Sequence, residues 1–238
     1  MLKIISLRIK NKLEEEINIA QAGFRRGRGT REQILNMRII IEKCREYNID
    51  LFACFIDYSK AFDCVQHQML WNIMTEMGFP SHLIHLIKML YKEQQAAVQI
   101  ESGKSDWFGI AQGVRQGCIL SPHLFNIYTE NIMRNIKEAA EEQQYDALVI
   151  GGQEIPELRY ADDTVLLSTS QNGIEKLIIS VQNKSENQNL YLNATKTKIF
   201  ATDKTETIND IYVSGHKLER VNCFEYLGAL LTNDGNIM

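Results

Sequence analysis

At 238 residues, with 45% hydrophobic and 24% charged side chains, the chain is long enough to bury a sizeable core and has an ordinary globular composition. No stretch approaches the roughly twenty apolar residues of a membrane span, and the basic segment Met1–Ile9 is too short and too charged for a secretory signal, so a nuclear or cytoplasmic location away from membranes is expected. The net charge of −4 is unlike that of a stand-alone nucleic-acid binder, but it is uneven: residues 1–45 hold eleven Lys or Arg against five Glu, a sum of +6, which leaves −10 for the remainder. A basic amino-terminal segment suits phosphate and an acidic remainder suits a cation, although a solvated basic helix would look the same. The five cysteines (44, 54, 64, 118 and 223) form no Cys-x-x-Cys pair and sit in apolar surroundings. They read as buried free thiols, not as a disulfide framework or zinc site. His82 and His85 have no Cys or acid beside them and read as surface or packing residues.

Apolar residues at 2, 5, 9, 13 and 17 predict a first helix over Met1–Ile19, broken by Gly23–Gly29. Thr30 is the expected cap of a second helix running to about Tyr47, with Glu32 and Gln33 in its first turn. Leu51–Ile56 is apolar throughout and reads as a central strand. Helices follow over about Gln66–Met77 and Ser81–Lys92, separated by the stop-and-start signal Gly78-Phe79-Pro80. Ala96–Glu101 and Asp106–Ile110 read as a hairpin around Ser102–Ser105. Ser121-Pro122 opens a long helix to about Glu141 with Leu124, Ile127, Tyr128 and Ile132 on one face. A hairpin comes next, from Ala147–Ile150 and Leu158–Tyr160 to Thr164–Ser168. The last elements are a helix over Gly173–Gln188 and short strands near Lys198–Ala201, Ile211–Val213 and Cys223–Leu227. The strand–helix–hairpin–helix–strand order over residues 51–201 predicts an α+β fold with a ferredoxin-like split βαβ antiparallel sheet, and no linker marks off independent units.

Two acidic sites stand out. Tyr160-Ala161-Asp162-Asp163 places consecutive carboxylates at a hairpin tip, where they repel each other and a divalent metal would offset the repulsion. Aspartate is also common in turns for conformational reasons alone. The apolar strand before Asp57 delivers that residue to its carboxyl-terminal end, a usual ligand position in α/β and α+β sheets; an ordinary helix cap is the competing reading, with Ser59 as a rival for the job. Carboxylates on neighbouring strands suit two Mg²⁺ ions roughly 3.5–4 Å apart, the spacing used in nucleotidyl transfer. Asp63 reads as a surface or helix-start residue.

Five blocks in order resemble the reverse transcriptase domain of non-LTR (LINE-type) retrotransposons. They are Gln21-Ala22-Gly23-Phe24-Arg25-Arg26-Gly27-Arg28-Gly29-Thr30, Phe55–Asp63, Ala111-Gln112-Gly113-Val114-Arg115-Gln116-Gly117-Cys118-Ile119-Leu120-Ser121-Pro122, Tyr160–Asp163 and Phe224-Glu225-Tyr226-Leu227-Gly228. The resemblance covers about Ala20 to Leu231. It implies an RNA-directed DNA polymerase that extends a primer 3′-hydroxyl with dNTPs on an RNA template. Two Mg²⁺ ions, or Mn²⁺ in their place, would be held by Asp57, Asp162 and Asp163 and by the backbone carbonyl of Tyr58. Asp162 is the member of the hairpin pair expected to point inward, because neighbouring residues alternate faces.

By the same resemblance Arg25 clamps the triphosphate, with Arg26 and Arg28 as near alternatives. Phe62 excludes a ribose 2′-hydroxyl, although a lone Phe after a strand is more often core. Gln116 and Gly117 meet the nucleotide and template. Lys196, in preference to Lys198, protonates the departing pyrophosphate, and Tyr226, Leu227 and Gly228 form a primer grip. The implied layout is a partial, mostly helical fingers region over 1–50 and a palm over 51–238, with an interleaved fingers segment at about 78–115 and a primer-grip hairpin near 211–231. An upstream Arg-Pro-Ile-type fingers block, a thumb and an endonuclease are expected to be missing, so portions of a longer polyprotein would be partners. The alternative reading is a catalytically silent remnant of such an element that binds nucleic acid or a partner protein.

Overall fold

The computed structural model describes residues 1–100, 103–143, 145–202 and 210–233. In chain order the elements are α1 (Leu2–Glu16), α2 (Thr30–Glu46), β1 (Phe52–Ile56), a 3-10 turn over Ala61–Asp63, α3 (His67–Glu76) and α4 (Ser81–Tyr91). Short strands β2 (Gln95–Ala96), β3 (Gln99–Ile100), β4 (Gly103–Lys104) and β5 (Phe108–Gly109) lead to α5 (Ser121–Gln143). After β6 (Val149–Ile150) and β7 (Gln153–Glu154) come β8 (Glu157–Tyr160), β9 (Asp163–Ser168), α6 (Gln171–Asn187) and β10 (Lys198–Ala201). The chain then forms β11 (Tyr212–Val213), β12 (His216–Lys217), β13 (Glu219–Val221), β14 (Cys223–Tyr226) and β15 (Ala229–Thr232).

The chain forms two compact units, Met1–Ile17 with Lys60–Asn131, and Asn18–Ser59 with Ile132–Met238. The chain crosses between them three times, the last time inside α5.

In the first unit α1 buries Ile5, Ile9 and Leu13 along one face. It stops before the predicted end because Ile17 is extended (φ −79°, ψ 134°). Gly78 at φ +71° ends α3 and Pro80 starts α4, as the punctuation predicts. The hairpin pairs Gln95 with Gly109 and Ala96 with Phe108, then Gln99 with Lys104 and Ile100 with Gly103. Its arms therefore pair as far as Ile100 and Gly103, and residues 101 and 102 of the predicted hairpin lie outside the described residues. Leu124, Ile127, Tyr128 and Ile132 of α5 are all buried, as their spacing requires.

The second unit is built on a five-stranded sheet of order β13-β10-β1-β9-β8. β1 is antiparallel to both β10 and β9, and β9 to β8, which is the split βαβ arrangement with the apolar strand in the middle. β13 adds a parallel edge strand to β10. Alternation along the strands sends Ala53, Phe55, Val165, Leu167 and Phe200 to one face, where they pack with Met37, Ile40, Ile41 and Cys44 of α2 and with Tyr226 and Leu231 of the β14–β15 hairpin. α6 packs on β9 and β1 and buries Ile174, Leu177, Ile178 and Val181. Two local expectations are corrected. Thr30 is the first helical residue of α2 and Gly29 holds the cap position, its amide donating to the Glu32 carboxylate at 2.8 Å, the reach-back bond of a capping box made without a side-chain cap. Cys44 and Cys54 are buried, but Cys64 and Cys118 are only half-buried and Cys223 is exposed, since it lies on the solvent side of β14.

Candidate active site

The geometry of the acidic site follows from strand register. Ile56 pairs with Thr164, so the next residue on β1, Asp57, and the preceding one on β9, Asp163, are cross-strand neighbours on one face. Tyr160 pairs with Asp163, leaving Ala161 and Asp162 as a two-residue turn. Within that pair only Ala161 has positive φ, at +60°, the pattern of a II′ turn whose first central position normally belongs to glycine. A left-handed alanine costs roughly 1–2 kcal/mol, and it persists only where its surroundings hold it.

The Asp162 and Asp163 carboxyls are both disfavoured as anions. Burial pushes the Asp163 carboxyl up from its ordinary 3.8 to about 6, and the charges of Asp162 and Asp57 add to this. Asp162 is raised as well, by burial first and by Asp57 in addition. Among the described residues, the Lys196 Nζ lies 3.9 Å from Asp57 Oδ2. Lys198 is turned to Glu219 at 2.6 Å and to the Thr195 carbonyl at 2.7 Å.

The backbone of Asp57 is fixed by the segment that carries Lys196. Asn193 N–H donates to the Asp57 carbonyl at 2.8 Å, and the Asp57 amide donates to Thr197 Oγ1 at 3.3 Å. Ser59 N–H donates to the Tyr191 carbonyl at 2.9 Å. This short ladder uses the groups on either side of Tyr58 and takes up neither of Tyr58's own backbone groups. The Tyr58 ring is buried, with its hydroxyl 3.4 Å from Ser185 Oγ.

A cavity of about 190 Å³ is lined by Phe55, Ile56, Asp57, Asp163, Thr164, Lys196, Phe224 and Tyr226. Phe55 stacks on Phe224 with centroids 4.0 Å apart, which seats the β14–β15 hairpin over the acidic end of the sheet. Leu227 and Gly228 form its tip, both with positive φ (+52° and +84°). Tyr226 is 2% exposed, and its hydroxyl has no hydrogen-bond partner among the described residues. Burial and the Asp163 charge both raise its pKa. Among the described residues no three His, Cys, Asp or Glu side chains form a ready-made metal cage. The donor set nonetheless fits a hard divalent cation: crowded carboxylates with raised pKa values, and an orphaned hydroxyl on the same cavity wall.

Arg25 Nη1 donates to the carbonyls of Asn18 (2.9 Å) and Gln21 (3.1 Å), and Arg28 Nη1 to that of Ile19 (2.5 Å). Arg26 is exposed. The residue that sequence reasoning missed is Gln21, which is fully buried and bonded to the Ala161 backbone at 2.9 and 3.2 Å. No local pattern announces a contact 140 positions away.

Phe62, Gln116 and Gly117 belong to the first unit. Phe62 is half-buried and stacks on Phe125 at 4.3 Å, and its carbonyl accepts from Val114 N–H at 2.8 Å. Gly113, at φ +90°, lies so close to Asp63 that a Cβ would be 3.0 Å from the Asp63 carbonyl oxygen. The loop holding Gln116 and Gly117 is thereby docked on the turn that holds Phe62. Gln116 and Gly117 themselves are exposed, and Gly117 has φ +78°.

The family model for reverse transcriptase (RNA-dependent DNA polymerase) matches residues 1–231. The chain is 25% identical over 232 residues to the retrovirus-related Pol polyprotein from type-1 retrotransposable element R2 of Nasonia vitripennis, covering 93% of this chain and 22% of that protein. It is 28% identical over 221 residues to the RNA-directed DNA polymerase from mobile element jockey of Drosophila melanogaster, covering 89% of this chain and 23% of the relative. Apo telomerase from Candida tropicalis superposes with a TM-score of 0.70 at 14% identity, over 100% of this chain and 40% of the telomerase chain. That likeness establishes a shared fold. The chain thus spans about a quarter of the length of these curated relatives.

Proposed function

The chain belongs to the reverse transcriptase (RNA-dependent DNA polymerase) family, and on that premise we propose that it extends a DNA primer with dNTPs on an RNA template. The single observation that carries this reading is the register that sets Asp57 and Asp163 side by side on one face, with Asp162 in the adjoining turn. Asp57, Asp162 and Asp163, with the Tyr58 carbonyl, would hold Mg²⁺ or Mn²⁺. When bound, two such ions lower the pKa of the primer hydroxyl and neutralise the triphosphate. Lys196, at the edge of the cavity, holds a proton at Nζ for the leaving pyrophosphate. Tyr226, Leu227 and Gly228 present the β14–β15 hairpin to the primer. In the first unit Phe62 excludes a 2′-hydroxyl, and Gln116 and Gly117 meet the template–nucleotide pair. Arg25, flanked by Arg26 and Arg28, supplies positive charge for phosphate. In this reading residues 1–50 are a partial fingers region and 51–238 the palm, with the segment at about 78–115 of fingers type.

Primer extension on an RNA template with Mg²⁺ and dNTPs tests the proposal, the chain run beside Asp57→Asn and Asp163→Asn. The expected result is extension by the parent and a loss of at least 100-fold in each variant. Equal rates in parent and variants would remove the carboxylate assignment. A folded parent that neither extends nor binds Mg²⁺ would favour the silent-remnant reading.

A further inference from the structure

The turn that carries Asp162 and Asp163 is held from outside by a segment with no carboxylate of its own. Gln21 Oε1 accepts from the Ala161 amide at 2.9 Å, and Gln21 Nε2 donates to the Ala161 carbonyl at 3.2 Å. One primary amide therefore occupies both backbone groups of the left-handed residue, as a paired strand would. The same Oε1 accepts from Gly23 N–H at 2.8 Å, which fixes the Gln21 rotamer. Gly23 packs directly on the turn: a Cβ there would collide with the Ala161 nitrogen, and would stand 2.9 Å from both Ala161 Cα and the Tyr160 carbonyl carbon. Behind this contact, Ala22 N–H donates to the Arg159 carbonyl at 2.9 Å and Arg159 N–H to the Ala20 carbonyl at 3.0 Å. Residues 20–22 thus run as a rail along the outer edge of β8.

We propose that Gln21 and Gly23 are positioning residues that set where Asp162 and Asp163 point by locking the strained turn residue between Tyr160 and Asp162. The proposal rests on reading Asp57, Asp162 and Asp163 as the metal-binding carboxylates. A backbone that adopts positive φ at alanine has lower-energy alternatives nearby. Relaxation of Ala161 would rotate the peptide that carries Asp162 and swing Asp163 off the face it shares with Asp57. The Gln-x-Gly pair closes that route with two hydrogen bonds on one side and van der Waals contact on the other. Gln33 is the internal control. It is equally buried, and its Nε2 donates to the carbonyls of Ala20 (3.1 Å) and Arg159 (3.2 Å), so it supports the rail without touching the turn.

The test compares Gln21→Met, near-isosteric but unable to bond Ala161, with Gln33→Met. Amide hydrogen exchange is followed on the peptide spanning Tyr160–Asp163, and Mn²⁺ affinity by electron paramagnetic resonance, both in the absence of substrate. Gln21→Met is expected to exchange at least tenfold faster at Ala161 and to bind Mn²⁺ at least fivefold more weakly. Gln33→Met, at a similar loss in melting temperature, should change neither by more than twofold. In primer extension Gln21→Met should lower kcat while leaving the KM for primer–template within twofold. Gly23→Ala should reproduce these effects where it folds, and Gln21→Met decides the matter where it does not. Identical exchange and Mn²⁺ affinity in the Gln21 and Gln33 variants would overturn the proposal. If the parent binds no Mn²⁺, the carboxylate reading fails and this inference with it, although a faster-exchanging Ala161 would still identify the contact as structural.

Discussion

Removing one charge from the acidic cluster should stabilise the metal-free chain, and only above a defined pH. The Asp163 carboxyl rises from 3.8 to about 6, through burial and then the charges of Asp162 and Asp57. A carboxyl raised on folding holds its proton more tightly in the folded state. Its ionisation therefore costs stability as pH climbs from about 4 to about 6, and the full cost stands above that window. At about 1.4 kcal/mol per pH unit the rise corresponds to at most about 3 kcal/mol. Asp163 is exposed in the folded chain, and solvent screening there reduces the expectation to about 1 kcal/mol. Asp163→Asn, nearly the same in shape and always neutral, should therefore be more stable than the parent by about that amount at pH 7.5, and equal to it near pH 4. Urea unfolding of both proteins in EDTA at the two pH values measures the difference. Adding Mg²⁺ at pH 7.5 should shrink or reverse it, because a cation bound only to the folded parent stabilises that form. The reasoning is refuted if the two proteins differ equally at both pH values, or if the Asn variant is the weaker at pH 7.5.

Phe55→Ala should cost roughly 3–5 kcal/mol in urea unfolding, because the ring is 3% exposed and stacks on Phe224; a cost under about 1 kcal/mol would mean that the β14–β15 hairpin is not seated on the sheet. Phe62→Ala should lower stability by about 1–2 kcal/mol through loss of the Phe125 stack, and should raise ribonucleotide over deoxynucleotide incorporation at least tenfold. If stability falls while that ratio holds, Phe62 is a packing residue only.

Much of the architecture was legible in the residues. The apolar run of β1 marked a central strand, Gly78-Phe79-Pro80 marked a helix break, and the spacing along α5 marked its buried face. These signals are local, and each is settled by a few neighbours. Other features depended on partners far along the chain. Thr30 looked like a cap, but Gly29 holds that position and Glu32 reaches back from within the helix to bond its amide. The twin aspartates implied a carboxylate cluster, and alternation favoured Asp162 as the inward residue. Register sets Asp163 opposite Asp57 and on the cavity wall, with Asp162 half-buried in the adjoining turn. The arginine-rich block drew attention to its charges, whereas the structure gives two of its three arginines to loop carbonyls. Gln21, which no charge or periodicity distinguishes, touches the turn that carries Asp162 and Asp163.

The sheet also sets an order of events during synthesis. β1 pairs with β9 through Phe52 and Ser168, and with β10 through Phe52 and Ala201. At about 5–20 residues per second, the first finished strand waits on the order of 7–30 s for its last antiparallel neighbour. Until β9 emerges, Phe-Ala-Cys-Phe-Ile, buried along its whole length in the finished sheet, has neither edge paired, and one edge stays open until β10 follows. It is the kind of short, uncharged, proline-free segment that joins other chains when left open. A nascent copy of this protein is therefore at greatest risk of aggregation between the emergence of β1 and that of β10, when a chaperone holding this one pentapeptide would protect the whole sheet.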